Sequence, residues 1–181
     1  PTTYPLKVNR YDGTTNAWAA TSTALSTSAS QESHIGIAAT PLGAVAVWRQ
    51  PPTTGGGRHI FYSRFTAGTW SAGVSVLGTT TTSVYAYEPD VAMDLKGNII
   101  VAWTQGSAGV QTRRYDGTAG TWGAITNLGG AGYGDQPRVA FDAAGNALAV
   151  FDVNDSVYGA RYLATGTTFG TPKLLRSGVQ G

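Results

Sequence analysis

Trp48 and Trp103 each lie near the end of a strongly apolar run, "AVAVWRQ" (Ala44–Gln50) and "IIVAWTQ" (Ile99–Gln105). Glu32, Glu88 and Gln136 stand at comparable places, each just ahead of a shorter run that precedes such a segment. An aromatic ring beside a carboxylate or an amide is the pairing that a sugar requires. The ring covers the apolar C–H face, and the acid or amide accepts hydrogen bonds from the hydroxyls. Tyr87, Arg49 and Gln105 come from the same neighbourhoods. The candidate ligand-binding set is therefore Trp48, Trp103, Glu32, Glu88, Gln105, Tyr87 and Arg49. A structural reading competes with it, in which Glu32 and Glu88 satisfy backbone groups at strand ends.

The elements that would position these residues follow from an internal repeat. An arginine followed by an aromatic recurs at Arg10-Tyr11, Arg64-Phe65, Arg114-Tyr115 and Arg161-Tyr162. The spacing is roughly 50 residues, the upper part of the range that marks solenoids, propellers and arrays. A second aromatic follows each pair: Trp18, Trp70, Trp122 and Phe169. Between them recur the apolar runs, carrying Trp48, Trp103 and Phe151. The clearest unit reads as four short strands. "PDVAMD" (Pro89–Asp94) is the first, and "LKGN" turns the chain, with Gly97-Asn98 suited to positive φ. "NIIVAWTQ" (Asn98–Gln105) is apolar enough to be buried on both faces. "VQTRRYD" (Val110–Asp116) alternates, "GTAG" turns again, and "TWGAITNL" (Thr121–Leu128) is the fourth. No window shows apolar residues at helical spacing free of Gly, Pro or Thr clusters.

Four antiparallel strands per repeat of this length predict the blades of a β-propeller, stacked because one blade cannot bury its own faces. The expected array is all-β, with about three and a half blades in a single repeat module: an outer half-blade over 1–30 and blades over 31–78, 79–129 and 130–181. "RYDGTAGTW" is then the outer hairpin of a blade. It resembles the Asp-box of sialidase-type propellers, S-x-D-x-G-x-T-W, although Asp12 to Trp18 and Asp116 to Trp122 are each one residue longer and Ala67 and Ala164 replace the Asp elsewhere. The pattern as a whole resembles repeat propellers of exported bacterial proteins. That resemblance covers almost the entire chain and implies the fold, with a secreted or cell-surface location. The pairing of aromatic and acid resembles the inter-blade pockets of propeller lectins, some of which build rings from short chains.

On this architecture the starts of the first strands and the ends of the second share one face, which usually carries function. Tyr85, Tyr87, Glu88, Tyr133 and Asp135 fall there, with Arg49, Gln50, Gln105, Asp152 and Asp155. Asp12, Asp94, Asp116 and Asp142 fall on the opposite face, where turn capping is the expected role. The recurring Trp18, Trp70 and Trp122 are expected in the core, and the recurring arginines as packed stems or inter-blade hydrogen bonders. Three and a half blades fall short of a usual ring, so the chain is expected to join a second copy, to belong to a longer propeller, or to form a strained four-bladed ring with one incomplete blade; a glycan ligand is the other expected partner.

Composition narrows the alternatives. Charged residues are 12% of the chain, against about 25% in an average domain. A net charge of +2 does not argue for nucleic acid. There is no cysteine, which excludes disulfides and thiolate chemistry. No apolar run approaches a membrane span, no signal peptide is present, and the chain starts at Pro1, as a processed product does. His34 and His59 lack metal-ligand spacing, and "TTGGGR" lacks the Lys-Ser/Thr of a phosphate loop. No cofactor and no metal is expected. Sialidase-like hydrolysis would need an arginine cluster, a tyrosine nucleophile and an acid. Arg49, Arg58 and Arg138 are present, but no spacing marks them as that cluster. The expected activity is binding, with a protein-interaction scaffold as the main alternative and a glycosidase behind both.

Overall fold

The computed structural model describes residues 5–26, 33–52, 56–76, 84–129 and 134–178. The fold is all-β. Its only helical element among the described residues is a 3-10 turn at Gly106–Ala108, and no helix is long and apolar enough to cross a membrane. Blade 1 consists of β1 (Lys7–Val8), β2 (Tyr11–Asp12), β3 (Ala17–Trp18) and β4 (Thr23–Ala24). β1 pairs with β4 and β2 with β3, so it is a single interrupted hairpin. Blade 2 has β5 (Ser33–Thr40), β6 (Gly43–Gln50), β7 (Gly57–Thr66) and an outer strand in two pieces, β8 (Thr69–Trp70) and β9 (Val74–Ser75). Blade 3 has β10 (Val84–Met93), β11 (Ile99–Gln105), β12 (Val110–Asp116) and β13 (Thr121–Asn127). Blade 4 has β14 (Gly134–Phe141), β15 (Ala147–Val153), β16 (Ser156–Tyr162) and β17 (Lys173–Arg176). Within blades 2 to 4 each strand pairs antiparallel with the next. The inner strands β5, β10 and β14 pack side by side, β10 between the other two.

The cores lie between blades, as the repeat requires. Val45 and Val47 of blade 2 meet Val91, Ile99, Val101 and Tyr115 of blade 3. Ala92, Ile100 and Ala102 of blade 3 meet Val139, Ala147 and Tyr162 of blade 4. Leu6, Val8 and Leu25 of blade 1 cover Trp48 and Phe61 of blade 2. Strand pleat explains the division: successive residues point to opposite neighbours. Trp122 packs between blades, its ring edge-on to Tyr62 at 4.9 Å. Trp18 departs from its expected core role and is 65% exposed. Its ring stands edge-on to Tyr11, with centroids 5.4 Å apart.

The inner strand of blade 3 begins earlier than the run after Pro89 suggested. β10 extends back to Val84, with its pairing register shifted between Tyr87 and Asp90. Proline cannot donate to a ladder and is tolerated at a bulge, where no ladder bond is needed. The same shift recurs between Ser33 and Gly36 and between Asp135 and Arg138.

The opposite face is held by aspartates, as expected. Asp94 Oδ1 accepts from the amides of Lys96 and Asn98 at 2.8 and 2.9 Å, and Asn98 Nδ2 donates to Oδ2 at 2.7 Å. Asp142 repeats this with Ala144 and Asn146. Of the turn residues 97 and 98, only Gly97 takes positive φ, at 78°. Asn98 serves through its side chain, whose Oδ1 accepts from Gly117 N at 3.1 Å and from Arg114 at 2.7 Å. The two hairpins come so close that a Cβ on Gly117 would lie 2.5 Å from the carbonyl carbon of Gly97.

Candidate functional site

The repeated bulge gives the site its shape. His34, Glu88 and Gln136 occupy it in blades 2, 3 and 4, with φ of 53°, 48° and 45°. Left-handed backbone is costly for residues with a Cβ, and glycine would be the cheap choice. Three different polar side chains stand there instead. They line one cleft of about 370 Å3 with Ile35, Pro89, Asp90 and Arg138. A volume in that range suits a small ligand. Both acids reach from blade 3 to blade 4: Glu88 Oε2 accepts from Gln136 N at 2.9 Å, and Asp90 Oδ2 accepts from Val139 N at 2.8 Å. These bonds anchor two carboxylates; the His34 ring and the Arg138 guanidinium, whose Nη1 donates to Pro137 O at 2.9 Å, line the same cleft.

Arg49 and Tyr87 flank this cleft. Arg49 pairs with Ser33, next to His34, and Tyr87 precedes Glu88. The Arg49 guanidinium carbon lies 4.8 Å from the centre of the Tyr87 ring across the blade boundary. Its Nε is buried and finds no hydrogen-bond partner among the described residues. Both side chains are half-buried.

Trp48, Trp103 and Gln105 are placed differently from the expectation. Both indoles are 0% exposed, so neither ring offers a face to a ligand. Trp103 Nε1 donates to Gln105 Oε1 at 3.1 Å, and Trp48 Nε1 to Gln50 Oε1 at 2.6 Å. Residues i and i+2 share one face of a strand, so each glutamine satisfies the buried N–H of the tryptophan two positions earlier. Blade 4 shows the logic by substitution: Phe151 has no N–H, and Val153 replaces the glutamine. Gln105 is therefore a structural partner.

Glu32 lies outside the described residues. The residue matching Glu88 in blade 2 is His34, fixed by the bulge and by its backbone angle. The sequence reading set His34 aside and did not single out Asp90 or, as a ligand residue, Arg138. A signal for the bulge was present in the X-Pro pairs Glu88-Pro89 and Gln136-Pro137, which open two inner strands alike. Tyr133 is outside the described residues, and Asp135 is described only through its backbone. Among the described residues no three His, Asp or Glu side chains gather as a metal site.

A larger groove, about 600 Å3, runs between the outer strands of blades 3 and 4 past Arg114, Asp116, Trp122 and Phe169. Its charged groups are engaged within the fold. Arg114 bonds Asn98 and, at 3.1 Å, Asp116, and its guanidinium lies over Tyr162. The Asp116 carboxyl is held below its ordinary pKa, first by the Ala119 amide and then by Arg114. The bulge cleft gathers more ionisable side chains, His34, Glu88, Asp90 and Arg138.

The architecture is that of a β-propeller. It resembles the Bacillus subtilis arabinanase, with a TM-score of 0.51 and 13% identity, over 82% of this chain and 60% of that one. An endo-arabinanase from Bacillus licheniformis aligns with a TM-score of 0.49 and 14% identity, over 79% of this chain and 59% of that one. A fucose lectin from Kordia zhangzhouensis, solved with methyl-fucoside, aligns at 0.45 and 13%, over 75% and 97%. At these identities the likeness is one of fold, and the chain spans about 60% of the length of the first arabinanase. No protein-family model matches the sequence, and no curated protein matches it. The propeller part of the sequence resemblance stands, and no family match supports Asp-box repeats in particular.

Proposed function

We propose that the chain is a carbohydrate-binding module whose ligand sits in the bulge cleft, against Glu88, Asp90, Gln136, His34 and Arg138. One observation carries this reading: three non-glycine residues are held in left-handed backbone at equivalent bulges, and their side chains line one cleft. Backbone strain repeated at polar positions points to a purpose other than stability. Carboxylate, amide, imidazole and guanidinium groups together offer the donors and acceptors that sugar hydroxyls use. Tyr87, stacked under Arg49, supplies aromatic surface at the rim.

A glycan array followed by calorimetry tests the reading. Arabino-oligosaccharides belong in the panel because a neighbour of this fold is an arabinanase. Arg138→Ala and Glu88→Gln should each weaken binding at least tenfold while the protein stays folded. Undiminished affinity in both variants would remove the cleft from consideration. A glycosidase reading draws on Glu88 and Asp90 lining one cavity, since glycoside hydrolysis uses a pair of carboxyl groups. Reducing sugar released by the wild type and abolished by Asp90→Asn would favour it over binding alone.

A further inference from the structure

Arg49 carries a charge that no described side chain takes up. Its guanidinium carbon lies 4.8 Å from the centre of the Tyr87 ring, and its Nε is buried without a hydrogen-bond partner. Among the described residues no carboxylate pairs with it, whereas Arg114 has Asp116 at 3.1 Å. The two acids of the neighbouring cleft reach the other way: Glu88 Oε2 accepts from Gln136 N and Asp90 Oδ2 from Val139 N, both in blade 4. A guanidinium cannot shed its charge, and holding one half-buried without a counter-charge is unfavourable.

Arg58 adds to the same positive field. Ile60 opposes Arg49 in the β6–β7 ladder and packs in the core between blades 2 and 3. Arg58, two positions before Ile60, shares its face of β7. It is half-buried, its Nη1 donates to Gly57 O at 3.0 Å, and it makes no ion pair among the described residues. It pairs with Tyr85 where β10 begins. Two arginines therefore stand at the boundary of blades 2 and 3 with no described acid against them. The bulge cleft adjoins this boundary, because Ser33, across the ladder from Arg49, precedes His34, and Tyr87 precedes Glu88. The surroundings are polarised, with guanidinium groups on one side and Glu88 and Asp90 on the other.

We propose that the ligand of the bulge cleft is an acidic saccharide, a uronide whose carboxylate is held by Arg49 while its hydroxyls meet the cleft. The inference rests on the carbohydrate reading of that cleft and names the class of sugar. The N–H groups along one edge of a guanidinium match the two oxygens of a carboxylate. Stacking on Tyr87 fixes the plane of that fork before the ligand arrives. The polarity of the site also limits the charge it accepts. A single carboxylate per sugar ring can lie on the arginine side, whereas a densely charged glycan would bring further anions against Glu88 and Asp90. Arg49 is then the residue that sets specificity, and Arg58 strengthens the field around it.

Calorimetry tests the proposal with oligomers of galacturonate, glucuronate and mannuronate, each beside its neutral, carboxyl-reduced counterpart, and circular dichroism follows folding. At least one acidic oligomer should bind roughly tenfold tighter than its reduced form, the gain of a charge-assisted fork. Arg49→Gln should bring that ratio to within about twofold, and Arg49→Lys, which keeps the charge without the fork, should fall between the two. Arg58→Gln leaves the Arg49–Tyr87 stack in place and should lower the ratio by roughly two- to threefold, so the proposal remains testable where Arg49→Gln does not fold. Equal affinity for the acidic and reduced forms overturns it and leaves a neutral-sugar cleft, provided that this binding is lost in Arg138→Ala. A preference for the acid that survives Arg49→Gln also overturns it. Absence of binding to every glycan overturns the carbohydrate reading along with it.

Discussion

The guanidinium carbon of Arg64 lies 4.3 Å from the centre of the Tyr115 ring, and its Nη1 donates to the Tyr115 hydroxyl, so one arginine of blade 2 grips blade 3 by two means. Tyr115 is 8% exposed, and at such a site the ring's attraction for a cation is little weakened by water. A double-mutant cycle on Arg64→Ala and Tyr115→Leu should give a coupling of about 1–2 kcal/mol by urea unfolding. A coupling indistinguishable from zero would mean that this contact does not help to hold blades 2 and 3 together.

The Trp103–Gln105 pair makes a second prediction. Gln105→Val removes the acceptor of a buried indole N–H and should cost about 1–3 kcal/mol. Adding Trp103→Phe removes the unsatisfied donor and reproduces the Phe151–Val153 pair of blade 4, so the double variant should lose less than the sum of the two single losses. Strict additivity in the same unfolding measurement would show that the amide does not serve the indole.

The outer turns predict the acid behaviour. The Asp142 carboxyl is held below its ordinary pKa, first by the Asn146 side-chain amide, and Asp116 first by the Ala119 backbone amide. A carboxyl whose pKa is depressed by folding stabilises the protein above the unfolded-state value. That contribution is lost as pH falls through the lower, folded-state value. Melting temperature should therefore decline as pH drops below about 4. Asp142→Asn keeps an oxygen for the turn amides and removes the titration, so its decline should be shallower. An acid limb as steep as the wild type's would uncouple Asp142 from stability.

The strain at the bulge can be relieved at one position. His34 has φ of 53°, and its ring contacts Ser33 Oγ at 3.1 Å. His34→Gly should raise stability by about 0.5–1 kcal/mol, the left-handed penalty less the entropy of glycine. The same change should weaken ligand binding at the cleft. Lower stability in His34→Gly, read from chemical denaturation, would show that the histidine stabilises the bulge.

Much of the blade pattern was readable because it is local. The aspartates before "xxGN" form the turns that their chemistry predicts, and β12 runs from Val110 to Asp116 as its alternation suggests. The second strand of blade 3 is buried as its apolar run requires, since in β11 only Gln105 escapes full burial, whereas β15 of blade 4, equally apolar, leaves Leu148 exposed. The site was less readable. Trp103 looks the same in sequence whether its ring faces a ligand or a neighbouring blade. Glu32 resembles a counterpart of Glu88 until the bulge shows that His34 holds that place. A bulge adds a residue to one strand without changing its composition, so the register of β5 could not be counted from loops of unequal length.

By itself, then, the order of residues determined the all-β repeat, the turns, and which side chains share a face, since these depend on a two-residue period and on turn chemistry within a few positions. Tertiary structure alone decided which faces are covered: Val45 and Ile100 are buried and Leu148 is exposed, though all three occupy one place in the repeat. Burial depends on whether another blade stands opposite, and that neighbour is distant in sequence. The same holds for the cleft, where side chains from three blades converge only because β5, β10 and β14 pack side by side.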